Sequence, residues 1–345
     1  EVDELCDAGA YPQTNTVEPG KTQMMLCGPY RVPSVRFRAR SVVTNLAPNG
    51  AYRGPGRSEA TAALERALDT VAARLGIDPV EIRRRNLLRR DELPHETVTG
   101  VRYDETDHHA LLDELVARSG YERLRADQQE RRARRDPLQL GIGVATVVDS
   151  TAWFARTEPV RVAIDRDGTV RVFAATASAG QQHAAAFVSI VRSVLPVPAE
   201  RVLVVEGDTA HLESAGTSGS RSLQLAGSAI RAASEVLLDA LRHHAADALE
   251  AAPEDVVLDD GRFVVRGSPA ARAVSFADAL AFAHDRDGTD VLDARCVYEQ
   301  PHPTYPTAAH LSVVEVDVET GGVRALRHVA VTDGGVVVDE VGARG

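Results

Sequence analysis

Alternating polar and apolar positions predict where the strands of this chain lie. Residues 36 to 45, RFRARSVVTN, alternate well enough to predict one strand. Residues 160 to 177 contain two alternating runs joined by an Asp-Gly pair, which predicts two strands connected by a tight turn. A further strand is predicted at 201 to 209 and a second hairpin at 310 to 333.

Apolar residues spaced three and four positions apart predict helices. One helix is predicted to begin with Ser58 as its N-cap and to end at Gly76. Its predicted buried face consists of Leu64, Ala67, Leu68, Val71 and Leu75. A second helix follows at once, because Asp78 and Glu81 form a capping-box pattern around Pro79 at the first helical position.

Later helices are predicted over residues 108 to 135, 184 to 195 and 222 to 249. Since helices and strands mix without a regular βαβ rhythm, the pattern predicts an α+β fold with mixed sheets and packed helices. Pro137 and the glycines of LGIGVA mark a boundary, so two domains are predicted, residues 1–137 and 138–345.

Composition excludes several classes of function. The 345 residues are 44% hydrophobic, and 39 Lys plus Arg against 50 Asp plus Glu give a net charge of −11. This charge argues against nucleic acid or an anionic membrane as the main partner. Three widely spaced cysteines fit neither a disulfide framework nor a metal cluster. No apolar run is long enough to cross a bilayer and no export signal is visible, so the expected compartment is the cytoplasm.

Three stretches rich in small residues lead directly into predicted helices: GAYRGPGRSE (50 to 59), TASAGQQHAAAF (176 to 187) and GTSGSRSLQLAG (216 to 227). Helix N-termini present unpaired N–H groups and a partial positive charge, so each stretch can receive an anion. A purely structural role is the ordinary explanation for any one of them. Three together, with Arg53 in the first, favour a large polyanionic cofactor. None has a Walker loop or the spacing of a dinucleotide fingerprint.

These motifs occur in an order that resembles a known family. The segment TNLAPNGAYRGPGRSEATAALERALDTVAARLGIDPVEIRRRNLL is similar to part of the molybdopterin-binding large subunit of the xanthine dehydrogenase, aldehyde oxidase and carbon monoxide dehydrogenase family. The resemblance continues through GQQH, VEGDT, GTSGSRS and HPTYPTAAHLSVVEVDVETGGVRALRHVAVTD. It implies a fragment lacking both ends, with 1–137 the later part of the first molybdopterin-binding domain and 138–345 the early part of the second.

The resemblance also assigns site residues. It implies that the loop of Ala51, Tyr52 and Arg53 lies against the molybdenum, with Arg53 orienting a carbonyl-bearing substrate through its fixed fork of donors. Gly180 and Gln181 are implied to contact the pterin and its phosphate.

A later loop completes the implied set. Gly219, Ser220 and Ser222 are implied to surround the cofactor near the metal with N–H and hydroxyl groups. The dithiolene of the pterin holds the molybdenum in this family, so no direct protein ligand is expected.

The chain departs from the family pattern at several positions. Gly54 stands where members that oxidise carbon monoxide have a cysteine, which disfavours that substrate. Pro55 replaces the phenylalanine with which purine hydroxylases stack on the substrate ring. Gln182 replaces the usual glycine. The family's general-base glutamate has no match in this sequence, and Glu340 fits no such motif.

The resemblance therefore implies the molybdenum-molybdopterin part of an oxidoreductase that hydroxylates an aldehyde or N-heterocycle with water as oxygen source. The aldehyde is slightly favoured, because the stacking phenylalanine is absent. The cofactor could be the cytosine dinucleotide form. FAD and [2Fe–2S] centres are expected on partner subunits, in a dimer of heterotrimers. The alternative is a truncated, catalytically inactive subunit fragment without its general base. An unrelated phosphate-binding enzyme is a third possibility, disfavoured by the missing Walker loop.

Overall fold

The chain divides into two compact units, each made of two separate segments. The computed structural model describes residues 1–12, 18–267 and 272–344. The first unit comprises Glu1–Asp149 and Thr304–Gly335, and the second comprises Ser150–Pro303 and the C-terminal residues from Val336. The predicted boundary between residues 137 and 138 concerns family domains rather than packing and stays a prediction.

The helices and strands within the described ranges alternate irregularly, which confirms the α+β class. The helices are α1 Glu18–Met25, α2 Arg57–Leu75, α3 Pro79–Asn86, α4 His108–Ser119, α5 Tyr121–Ala133, α6 His183–Arg192, α7 Gly227–Leu249, α8 Phe276–Asp287 and α9 Glu340–Arg344. The strands are β1 Val2–Gly9, β2 Phe37–Val43, β3 His95–Glu96, β4 Arg102–Tyr103, β5 Leu138–Val148, β6 Thr157–Asp165, β7 Val170–Ala174, β8 Val202–Glu206, β9 Val256–Asp259, β10 Arg262–Val265, β11 Ala273–Ser275, β12 Val291–Glu299, β13 Thr307–Asp317 and β14 Val323–Asp333.

The first unit is built on an antiparallel sheet of order β14-β13-β5. The hairpin β13–β14 and strand β5 lie far apart in sequence, yet they pair over their whole lengths, with Leu311 opposite Val144. Leu112 and Leu115 of α4 pack on this sheet in one buried cluster with Leu311. A second sheet pairs β1 with β2 in parallel.

A buried ion-pair network joins α2 to α3. Arg83 is fully buried, and its Nε lies 2.7 Å from Oε2 of Glu65 and its Nη2 2.9 Å from Oδ1 of Asp69. The Tyr30 hydroxyl donates to the other oxygen of Glu65 at 2.7 Å. Burial raises the pKa of Glu65, and Arg83 opposes that shift. Each buried charge therefore has a partner, as burial in a low-dielectric interior requires.

The second unit is built on a mixed sheet of order β12-β6-β7-β8. Strand β7 is antiparallel to β6 and parallel to β8. The long helix α7 covers one face of this sheet, and its Ile230 and Leu241 share a buried cluster with Val162 and Val172. A smaller antiparallel sheet of order β11-β10-β9 adds Phe263 to the same cluster.

Most predicted elements are confirmed, but α2 differs in two respects. It begins at Arg57 rather than after a Ser58 cap, because Gly56 adopts a positive φ of 73° and Ser58 Oγ donates back to the Gly54 carbonyl. On its predicted face, Leu64 and Leu68 pack against the core, whereas Ala67, Val71 and Leu75 are exposed. The helix instead buries Ala60, Glu65 and Ala72, since Glu65 must reach Arg83.

Two other helix predictions need correction. The predicted helix over 108 to 135 is two helices, because Gly120 takes a left-handed conformation with φ 65° and ends α4. Asp78 caps α3 as predicted and accepts from the Val80 N–H at 2.8 Å. The Glu81 carboxylate pairs with Arg84 and Arg85 instead of completing the capping box.

No helix in the described ranges is long and apolar enough to cross a membrane.

Candidate functional site

The first predicted loop lies in the first unit, immediately before α2. Ala51, Tyr52 and Arg53 are exposed, and Tyr52 is 87% accessible. Gly54 and Gly56 shape the turn that follows, and both have positive φ values, 82° and 73°. A Cβ on Gly56 would lie 2.6 Å from the backbone nitrogen of Thr22 in α1, so only glycine fits there.

Charged groups fix the base of this loop. Arg57 Nε lies 3.1 Å from Oδ2 of Asp149, and Lys21 Nζ lies 3.9 Å from the other oxygen of the same carboxylate. The pKa of Lys21 is lowered to about 8, mainly by burial; Asp149 opposes this shift and Arg57 adds to it. Arg53, by contrast, has no side-chain hydrogen bond or ion pair to any residue that the structure describes. Its guanidinium is available to a ligand.

The second predicted loop connects β7 to α6 in the second unit. Gly180 has a φ of 102°, and the Ala179 N–H donates to Oε1 of Gln181 at 2.5 Å. Gln182 is left-handed as well, with φ 58°, and directly precedes α6. His183 is buried at the start of the helix, where its Nδ1 lies 2.8 Å from Oε1 of Glu206 in β8. The pair joins the helix start to the neighbouring strand.

The third predicted loop precedes a π-helical turn, Ser222–Ala226, that leads into α7. Gly219 and Ser220 both have positive φ values, 54° and 57°. The Ala152 N–H donates to the Gly219 carbonyl at 2.8 Å. A Cβ on Gly219 would lie 2.8 Å from the ring of Phe154, so this position also requires glycine.

One threonine brings the second and third loops together. Thr217 Oγ1 accepts from the Ala177 N–H at 2.9 Å and donates to the Ala177 carbonyl at 2.8 Å. Gly180 and Gln181 on one side and Gly219 and Ser220 on the other therefore belong to one cluster of loops. We call residues 177–182 and 216–222 the paired loops. Ala51, Tyr52 and Arg53 belong to the other unit.

The sequence did not reveal the residues that support the paired loops. Arg221, only 1% exposed, lies beneath them with its Nη2 2.6 Å from Oε2 of Glu158, which is itself fully buried. Burial raises the pKa of Glu158, and Arg221 opposes the shift. The arginine in GTSGSRS was a usable signal, since a charged side chain between small residues must find a partner if the loop is buried.

Comparisons with known proteins decide the family. Family models described as molybdopterin cofactor-binding domains match residues 1–87 and 114–345. The chain belongs to the molybdopterin cofactor-binding domain family. The sequence-based expectation of this family is confirmed.

Two curated relatives and one solved structure are similar to nearly the whole chain. Subunit gamma of the 6-hydroxypseudooxynicotine dehydrogenase complex of Paenarthrobacter nicotinovorans is 32% identical over 98% of this chain and 43% of its own length. The carbon monoxide dehydrogenase large chain of Hydrogenophaga pseudoflava is 32% identical over 90% of this chain and 41% of its own. The solved structure of quinoline 2-oxidoreductase from Pseudomonas putida 86 superposes on 99% of this chain and 46% of its own with a TM-score of 0.91 at 30% identity. This chain spans less than half the length of these relatives.

The paired loops of this family member suit a pterin cofactor. Ser222 Oγ is buried and has no hydrogen-bond partner within the described ranges. A buried hydroxyl without a partner is costly, so this group is ready to bond a ligand. A Cβ on Gly180 would meet nothing within 4 Å, which leaves open space above the backbone of that loop. Hydroxyls, N–H groups and open backbone are the donor set that a phosphate-bearing pterin requires.

Proposed function

We propose that the chain is the cofactor-binding part of the large subunit of a molybdenum hydroxylase. Its reaction converts a C–H bond to C–OH with oxygen from water and releases two protons and two electrons. When bound, the molybdopterin would supply the redox-active metal for this two-electron oxidation. The main support is the match to a molybdopterin-binding family over residues 114–345.

Each predicted site residue receives a role in this proposal. The N–H groups and hydroxyls of Gly180, Gln181, Gly219, Ser220 and Ser222 would bind the pterin and its phosphate. Arg53, exposed and without a partner among the described residues, would orient the substrate and stabilise negative charge that develops on it. Ala51 and Tyr52 would place the Arg53 backbone against the metal side of the cofactor.

The proposed substrate is an N-heterocycle, with an aldehyde as the second candidate. The missing aromatic at Pro55 favours an aldehyde, because that stacking contact is lost. The likeness to quinoline 2-oxidoreductase over 99% of the chain at 30% identity supports an N-heterocycle, which is therefore placed first. Gly54 disfavours carbon monoxide.

Electrons would leave through partner subunits that hold FAD and [2Fe–2S] centres, in a cytoplasmic dimer of heterotrimers. The name of one relative, subunit gamma of a dehydrogenase complex, supports a multi-subunit assembly. The cytosine dinucleotide form of the cofactor is part of the same proposal.

The test combines metal analysis with isotope labelling. The purified full chain, produced in a host that makes molybdenum cofactor, is expected to contain molybdenum and a pterin that fluoresces after oxidation. Assembled with its partner subunits and given quinoline and an electron-accepting dye in H₂¹⁸O, it is expected to release a hydroxylated product that contains the heavy oxygen. A chain without molybdenum or pterin would instead support the inactive fragment, and a product with unlabelled oxygen would overturn the proposed reaction.

A further inference from the structure

We propose that the buried pair Glu158 and Arg221 is a positioning device that pre-forms the paired loops for the cofactor. This inference rests on the proposed function, since it concerns how tightly the loops bind the pterin. Neither side chain can touch a ligand, because both are at most 1% exposed. The pair acts only through the backbone that it holds.

The guanidinium binds three backbone carbonyls from two segments. Nε donates to the Ala155 carbonyl at 3.2 Å, Nη1 to the Gly216 carbonyl at 2.8 Å and Nη2 to the Thr157 carbonyl at 2.5 Å. Two of these carbonyls belong to the segment entering β6, and the third opens the third loop. Arg221 therefore ties that loop to the edge of the sheet in a way that needs a planar fork of donors.

The tie reaches both paired loops. Gly216 is followed by Thr217, whose hydroxyl makes two hydrogen bonds to the backbone of Ala177 in the second loop. On the other side, Gly219 is held by the Ala152 N–H. Since Gly216, Gly219 and Arg221 are all held, the N–H groups of Gly219 and Ser220 are oriented before the cofactor arrives, which lowers the entropy that binding must overcome.

Stability alone does not account for such a pair. Replacing a buried ion pair by apolar residues of similar volume is often neutral or stabilising for the fold. Arg221 also adds little net charge to the loops, because Glu158 compensates it at 2.6 Å. What an apolar replacement cannot supply is the three directed bonds to carbonyls. Removing both side chains together leaves no unpaired buried charge, so the variant tests the geometry of the loops.

The experiment uses the double variant Glu158→Leu/Arg221→Met in the full chain. We expect the variant to fold with a lower thermal midpoint, because three carbonyls lose their donor. Retained molybdenum and pterin per folded chain should fall about 10- to 100-fold, the usual effect of losing a contact that supports a metal site. In cofactor-free protein, acrylamide should quench the fluorescence of Trp153 more strongly than in the parent. Trp153 is the only tryptophan and lies beside Gly219, so it reports on loop geometry without any turnover.

Arg221→Lys tests the same idea if the double variant folds poorly. Lysine keeps the charge opposite Glu158 but cannot reach three carbonyls at once, so it should preserve folding, increase Trp153 quenching and retain less cofactor. The matched control is Glu65→Leu/Arg83→Met, which removes an equally buried pair in the first unit and leaves the paired loops untouched. It should change neither Trp153 quenching nor the affinity of the folded chain for the cofactor.

The outcomes separate this inference from the proposed function. A parent chain that retains no molybdenum or pterin overturns the proposed function, whereas Trp153 quenching still tests the loop geometry. A parent that binds cofactor, together with a folded Arg221 variant that binds equally well and quenches like the parent, overturns the positioning role. Equal loss of cofactor in the control pair also overturns it, because the effect would then follow from removing any buried pair.

Discussion

Arg53 differs from Arg57, four positions later, in having no side-chain partner in the described chain. Because its side chain is exposed and unpartnered there, Arg53→Ala should change the free energy of unfolding by less than about 0.5 kcal/mol. In the assembled enzyme, kcat/KM should fall about 10²- to 10³-fold, as on loss of a donor that stabilises developing charge. Arg53→Lys should give an intermediate loss, since the fork geometry is gone and the charge remains.

Arg66 provides the control for that substitution. It is exposed on α2, and its alanine variant should leave both kcat/KM and stability unchanged. Steady-state kinetics with the heterocyclic substrate and thermal unfolding of each variant are the measurements. Full activity in Arg53→Ala would remove this arginine from the proposed site.

Gln182 is a non-glycine residue in a backbone conformation that favours glycine. Its φ of 58° is left-handed, a conformation that costs a non-glycine residue about 1–2 kcal/mol. Gln182→Gly should therefore raise the free energy of unfolding by about 0.5–1 kcal/mol after the extra chain entropy of glycine is subtracted. Urea unfolding measures the change. Gln181→Gly is the matched comparison and should destabilise, because Gln181 accepts from the Ala179 N–H.

At the scale of elements, local pattern predicted most helices and strands, and it failed where a distant contact decided the outcome. The hairpin β13–β14 follows from alternation alone. The buried face of α2 does not, because Glu65 is buried to meet Arg83, and hydrophobic periodicity carries no information about a buried ion pair. The break at Gly120 was missed because the sequences on both sides of it favour helix equally well.

Gly120 offers a test of that break. A Cβ there would make only an ordinary 3.5 Å contact with Arg123, so the cost of Gly120→Ala comes from the left-handed φ of 65°. We expect a loss of about 1–2 kcal/mol in the free energy of unfolding. Gly143→Ala in β5 is the control, since its Cβ would meet nothing within 4 Å and its φ is not left-handed. Equal effects in the two variants would show that conformation is not the cause.

At the scale of the molecule, the sequence predicted the three loops, and the structure added what connects two of them. Nothing in the spacing of TASAGQQH and GTSGSRS indicates that Thr217 bonds Ala177, because that contact depends on the packing of β7 and α7. The support from Glu158 was equally hidden, since it lies 63 positions before Arg221 and in a strand. Motif order therefore predicted the family, while the loop geometry needed the fold.

One buried histidine of the first unit, His108, makes the stability of the fold depend on pH. His108 of α4 is 3% exposed, and its Nδ1 lies 3.2 Å from Oγ1 of Thr307 in β13, so it joins segments 199 positions apart. The pKa of His108 is lowered from 6.5 to about 4, mainly by burial, with His109 acting in the same direction and Asp107 and Asp333 opposing. The unfolded chain then takes up a proton below pH 6.5 that the folded chain does not bind until about pH 4.

The contribution of His108 to the free energy of unfolding is therefore fully present above pH 6.5. It is lost as the pH falls from 6.5 towards 4. The loss from this residue reaches at most about 3.5 kcal/mol, at about 1.4 kcal/mol per pKa unit. His108→Gln, which cannot be protonated, should flatten the decline in the free energy of unfolding between pH 6.5 and 4. His243→Gln, on the exposed surface of α7, should leave it unchanged. Parallel pH profiles for the parent and His108→Gln would assign acid sensitivity to other groups.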